Sequence, residues 1–198
     1  HPLQLSLDVQ DLMGDEDWLI FDGGNTHFWS EIAVNMAGWR GQKLGGIMHP
    51  GNYSLLGVGV SFGVSAKALN PASNVVVISG DGAFLSGGLS IEAAFQENLP
   101  ITIVIDNNGG LDCISQQQER LFANGKHFAT DFRDIPFHTM CEGLGGHGEV
   151  VETRDQLRPA LERAMASGKV ALVNVKCRGV ISPIVAATSD KRDKASIE

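Results

Sequence analysis

The sequence has little that would tie it to a membrane, a nucleic acid or an oxidising compartment. Only three of its 198 residues are cysteine: Cys113, Cys141 and Cys177. They lie far apart with no C-x-x-C pair. That excludes a disulfide framework and a cysteine zinc site, and it suits a reducing cytoplasm. No apolar run reaches the roughly 18 residues needed to span a bilayer. The first residues, HPLQLSLDVQDLMGDEDW, are mixed and acidic and show no secretory pattern. Basic residues are scarce: 15 Lys and Arg against 23 Asp and Glu give a net charge of -8. A nucleic-acid partner would want a basic face, so none is expected. An anionic ligand would need a local device, because the global field repels it. Charged residues make up only 19% and hydrophobic ones 43%, which excludes a disordered chain and fits one well-buried domain.

What is present is an alternation of short apolar runs with helical patterns. WLIF (Trp18 to Phe21), VVVIS (Val75 to Ser79), ITIVI (Ile101 to Ile105) and VALVNV (Val170 to Val175) are nearly all apolar. Such runs read as strands buried on both faces, as in a parallel sheet. EVVE (Glu149 to Glu152) is a weaker strand candidate. YSLLGVGVSFGVSAKAL reads as a tightly packed helix and LSIEAAFQEN as an amphipathic one. QLRPALERAMAS puts Leu157, Ala160, Leu161, Ala164 and Met165 on one stripe. Thr153 and Gln156 offer it a capping box, although Pro159 sits in its second turn. The expected fold is α/β: a doubly wound, mostly parallel sheet with helices on both faces and right-handed connections.

One stretch concentrates chemistry. From Gly80 to Gly110 the chain reads GDGAFLSGGLSIEAAFQENLPITIVIDNNGG. It holds a lone acid between glycines, one helical pattern from about Gly88, one strand, then two amides and two glycines. Asp81 and Asn108 thus fall at the carboxyl ends of two strands, where open parallel sheets bind ligands. If the strands are neighbours, one carboxylate, one amide oxygen and nearby carbonyls form an all-oxygen site suited to Mg²⁺. The backbone amides of Gly82 and Ala83 can face an anion. Taken separately, each motif is an ordinary turn signal. Together they describe a magnesium–diphosphate cradle, which lets an acidic protein hold an anionic ligand.

Gly80-Asp81-Gly82, 24 residues, then Asn107-Asn108 resembles the signature of thiamin-diphosphate-dependent enzymes. More narrowly, the chain resembles the C-terminal, diphosphate-binding domain of the acetolactate synthase and pyruvate oxidase group, which includes 2-hydroxyacyl-CoA and oxalyl-CoA lyases. The resemblance implies that Asp81 and Asn108 ligate Mg²⁺ through side chains and Gly110 through its carbonyl. It implies that thiamin diphosphate is held by Gly80, Gly82 and Ala83, the last standing where the family often has a hydroxyl. DGGNTHFW matches the loop after the first strand, so Asn25 and Thr26 are implied diphosphate contacts, and His27 is open between such a contact and mere packing or capping. Leu56, just before Gly57, falls at the apolar residue that props the cofactor in its bent form, with Leu55 the neighbouring alternative. The bent cofactor removes its own C2 proton and carries the chemistry. Cys113 and Gln117 stand where acetolactate synthases carry methionine and tryptophan, and Asp112 replaces a small residue. Cys113 is counted among the cofactor-binding residues. Gly145 and Gly146 serve a turn, and His147 reads as surface.

The resemblance also implies something missing. The family's activating glutamate lies in a separate N-terminal, pyrimidine-binding domain, usually across a dimer interface. Glu92 and Glu97 read as helix-surface residues and do not replace it. The expected organisation is a cofactor-binding domain over residues 1–185 and a polar tail over 186–198. It would act within a homo- or hetero-oligomer, as a split subunit or as a piece of a longer enzyme. The implied reaction cleaves or forms a C–C bond next to a carbonyl: 2-keto acid decarboxylation, carboligation or 2-hydroxyacyl-CoA cleavage. Two other readings stand beside it. One is a catalytically silent cofactor-binding or regulatory subunit. The other is a Rossmann-type nucleotide binder, but no G-x-G-x-x-G follows the first strand and no P-loop motif occurs.

Overall fold

The computed structural model describes residues 1–122 and 125–187. Each apolar run forms a strand: β1 (Trp18–Asp22), β3 (Val75–Gly80), β4 (Thr102–Asn107) and β6 (Ala171–Lys176). The weaker candidate becomes β5 (His147–Val151), and a short strand, β2 (Gly46–Met48), joins at one edge. All pairings are parallel, in the order β2-β1-β3-β4-β6-β5. The helices are α1 (Pro2–Gln10), α2 (Asn25–Trp39), α3 (Gly59–Leu69), α4 (Asp81–Gly87), α5 (Ile91–Gln96), α6 (Asp112–Leu121), α7 (Phe137–Gly143) and α8 (Arg154–Ala166).

Strand residues alternate between two cores because successive side chains point to opposite faces. Leu19, Phe21, Val76, Ile78, Val104 and Val173 pack with α1 and α8 on one face. Ile20, Val77, Ile103, Ile105 and Leu172 pack with α3, α5 and α7 on the other. The sheet is therefore doubly wound, with helices on both faces. On α8, Leu157, Ala160, Leu161 and Ala164 are buried, and the capping box of Thr153 and Gln156 is formed. Pro159 lies inside that helix. It forfeits one early backbone bond, which the buried apolar stripe outweighs.

Four expectations need correction. The helix expected from about Gly88 begins at Asp81 and is broken into α4, a 3₁₀ turn at Gly88–Ser90, and α5. The break falls at Gly87, which presses against the backbone of Gly57. The helix expected from Tyr53 starts only at Gly59, because Ser54 and Gly57 take positive φ of 49° and 93°. The loop expected over DGGNTHFW is only Gly23-Gly24; Asn25 already opens α2, a 15-residue helix. His147, read as surface, is half-buried and bonds Glu149 at 3.0 Å within β5. Glu92 and Glu97 are exposed, as expected. Gly145 makes its turn with φ 91°. A helical turn over 183–187 crosses the expected boundary at 185 and buries Val185. The remainder of the expected tail, 188–198, lies outside the described residues.

Candidate functional site

Strand order reverses between β1 and β3, since the chain runs out to β2 before returning. Ligands of open α/β sheets bind at the carboxyl ends of strands at such a switch point. A cavity of about 220 Å³ lies there. Its wall comes from four places: Gly23 to Thr26 after β1, Gly80 to Ala83 after β3, Asn108 and Gly110 to Ile114 after β4, and Ser54 with Leu56 before α3. Pairing of β3 with β4, with Gly80 opposite Asp106, brings Asp81 and Asn108 to the same crevice.

Asp81 is only 2% exposed. Its Oδ1 accepts from the Gly82 N–H at 2.7 Å, and its Oδ2 accepts from the N–H groups of Gly109 at 2.8 Å and Gly110 at 3.1 Å. Burial pushes its carboxyl up to about 6; the three amides hold it down, and the neighbouring Asp106 adds to the rise. Asn108 presents a buried Oδ1 with no hydrogen-bond partner. Such an atom is costly unless something pairs with it. The loop is fixed from outside by Phe132 N–H to the Gly109 carbonyl (2.7 Å) and Leu111 N–H to the Thr130 carbonyl (2.8 Å). Neither of these bonds uses the Gly110 carbonyl. Among the described residues no group of three His, Cys, Asp or Glu could hold a metal. A cation here would rest on one carboxylate and neutral oxygens. Mg²⁺ accepts such a set, since it keeps waters and takes phosphate oxygens. The orphaned Asn108 oxygen and the buried carboxylate fit that ion.

The remaining implied residues divide. Ala83 is buried beside Gly80 and Gly82 on the wall. Leu56 lines the cavity, whereas Leu55 does not and is 63% exposed. Cys113 lines it too; burial, then Asp112, pushes its thiol up, while Gln117 approaches its sulfur at 3.6 Å. Asn25 and Thr26 reach the wall, but their polar atoms are engaged within the protein. Asn25 Nδ2 donates to Asp112 Oδ2 (3.3 Å) and Gln116 Oε1 (3.1 Å), and its Oδ1 accepts from Ser182 N–H (2.9 Å). Thr26 Oγ1 donates to Asp106 Oδ2 at 2.8 Å. The Gly82 N–H, implied as a diphosphate donor, is turned to Asp81. His27 is packing: it is buried edge-on to Phe21, with burial lowering its pKa.

Sequence reasoning passed over two buried acids that organise this end of the sheet. Asp106 supports Thr26, and burial raises its carboxyl. Asp22 closes β1 and accepts the N–H groups of Gly57 and Gly59. The available signal was an acid closing an otherwise apolar strand in both WLIFD and ITIVID.

Fold and cavity together define a doubly wound α/β domain with a crevice at the switch point of its sheet. Residues 22–175 match the family model for the C-terminal, TPP-binding domain of thiamine pyrophosphate enzymes, thiamine pyrophosphate being thiamin diphosphate under its other name. The chain belongs to that family. It is 30% identical over 176 residues to a probable acetolactate synthase of Mycobacterium bovis, covering 88% of this chain and 31% of that protein. It is 30% identical over 145 residues to a 2-hydroxyacyl-CoA lyase of Arabidopsis thaliana, covering 71% and 25%. It is 34% identical over 140 residues to an oxalyl-CoA decarboxylase of Escherichia coli, covering 70% and 24%. The chain thus spans a third or less of these relatives. No helix among the described residues is long and apolar enough to cross a membrane.

Proposed function

We propose that this chain anchors thiamin diphosphate through Mg²⁺ in an enzyme that cleaves or forms a C–C bond next to a carbonyl. The observation that carries the reading is the pairing of Asp81 with the unpartnered Asn108 oxygen on one cavity wall. Asp81, Asn108 and the Gly110 carbonyl would hold the cation. Gly80, Gly82 and Ala83 would lie against the diphosphate. Asn25 and Thr26 serve by fixing the wall, since their hydrogen bonds are already committed. Leu56 and Cys113 would meet the organic part. When bound, the cofactor supplies a carbon nucleophile that adds to a carbonyl and stores the resulting negative charge.

A cavity of about 220 Å³ falls below the roughly 300–1,000 Å³ typical of whole ligand sites. Next in sequence to the lining residues Ser54 and Leu56, two large apolar side chains stand in the open: Tyr53 is 96% exposed and Leu55 63%. Both observations favour a half-site completed by another domain or subunit, in a homo- or hetero-oligomer. That partner would supply the activating glutamate. Three free cysteines favour the cytoplasm.

Calorimetry tests the anchor in the full protein that carries this chain. Thiamin diphosphate should bind with Mg²⁺ and lose its affinity in excess chelator or in Asp81→Ala. Affinity unchanged by the chelator would refute the metal assignment.

A further inference from the structure

Asp22 is a buried acid that the anchor does not use. It is 1% exposed and stands behind the cavity wall, not on it. A single oxygen, Oδ2, collects two amides: Gly57 N–H at 2.9 Å and Gly59 N–H at 2.8 Å. The other oxygen, Oδ1, is buried with no partner. Burial pushes the carboxyl above its ordinary range against the pull of these amides. A carboxylate is an expensive choice for merely accepting backbone bonds.

The turn that Asp22 holds carries Leu56. Gly57 has φ 93°, and a Cβ on it would stand 2.9 Å from the Gly87 nitrogen. Residue 57 is therefore gripped from two directions, by the Asp22 oxygen and by the backbone at the end of α4. Leu56 itself belongs to neither core cluster and is 37% exposed. No core packing fixes its side chain, so its place on the cavity wall is set by the backbone of the turn.

We propose that Asp22 is a positioning residue for Leu56: through the Gly57 N–H it sets where that side chain meets the organic part of the cofactor. The inference rests on the reading of Leu56 as a cofactor contact. The diphosphate anchor at Asp81 and Asn108 stands just past the ends of β3 and β4 and makes no hydrogen bond to Asp22. A purely structural Asp22, securing the start of α3, would instead affect both ends of the ligand alike.

The experiment measures Mg²⁺-dependent affinity for two probes, thiamin diphosphate and inorganic diphosphate, in the full protein. Wild type, Asp22→Ala, Leu56→Ala and the double variant complete a cycle. Asp22→Ala should weaken thiamin diphosphate about tenfold, the range of one apolar pocket contact. It should leave inorganic diphosphate within about twofold, the scatter of independent sites. The double variant should lose no more than either single one. Asp22→Asn, which keeps an oxygen for both amides, should restore thiamin diphosphate affinity. If Asp22→Ala does not fold, Asp22→Ser takes its place with the same pattern expected. A parallel loss of both probes, or fully additive losses with Leu56→Ala, overturns the proposal. A wild-type protein that holds both probes equally overturns the Leu56 reading and this inference with it.

Discussion

Removing the Asp81 carboxylate should change how stability depends on pH, by an amount set by its burial. In the metal-free chain its pKa is raised from 3.8 to about 6. The folded state therefore keeps a proton that the unfolded chain has already lost between those values. Stability falls as pH rises through that window and is level above it. Two units at about 1.4 kcal/mol each give a penalty on the order of 3 kcal/mol at pH 8 relative to pH 3. Asp81→Ala cannot show this loss, although it orphans the amides of Gly82, Gly109 and Gly110 at every pH. Comparing the two proteins cancels the titration of every group that does not couple to Asp81, as Asp106 does. The stability difference should shift by about 3 kcal/mol in favour of the variant between pH 3.5 and 7.5. For a chain of this size that is roughly 6–12 °C in relative Tm, readable by calorimetry. Parallel curves for the two proteins would refute the buried-charge account. The same proton competes with the metal, so apparent Mg²⁺–thiamin diphosphate affinity should fall about tenfold per pH unit below about 6.

Three further outcomes are expected. Thr26→Val removes the hydroxyl bond to Asp106 Oδ2, while Oδ1 has no hydrogen-bond partner among the described residues; chemical denaturation should show a loss of about 1–3 kcal/mol, and Thr26→Ser should recover most of it. Thr153→Ala opens the capping box of α8 and should cost about 1 kcal/mol in the same assay, with thiamin diphosphate affinity unchanged. Exchange of the cofactor's C2 proton, followed by NMR, should be slow in the chain alone and rise about 10²- to 10⁴-fold when the glutamate-bearing partner is added; fast exchange without it would end the half-site reading.

The central strands were legible because burial on both faces leaves unbroken apolar runs, but their order, with β6 between β4 and β5, was not. Which residue faced which core was not legible, since both faces are equally apolar. β2 was hidden for the opposite reason: Gly46, Ile47 and Met48 make an edge strand too short to show a pattern. α2 escaped because its buried face carries Asn25, Thr26, His27 and Ser30, which read as loop. The Asp81–Asn108 pair could be found from spacing alone, because one helix and one strand must separate neighbouring strand ends. The hydrogen bonds that consume Asn25 and Thr26 could not. Their partners, Ser182 and Asp106, are set by tertiary closure far along the chain.

That closure bears on how the protein is born and how it should be cut. Asn25 takes its bond from Ser182, 157 positions later, and the Trp29 indole donates to the Val180 carbonyl, 151 positions later. Contacts of such separation form late, after most of the chain has collapsed. On a ribosome, this side of the cavity would wait for a segment made 151 to 157 positions later before its polar atoms were satisfied. A domain excised at the family boundary of residue 175 would keep every strand nearly whole and still leave the Asn25 oxygen and the Trp29 indole nitrogen unanswered.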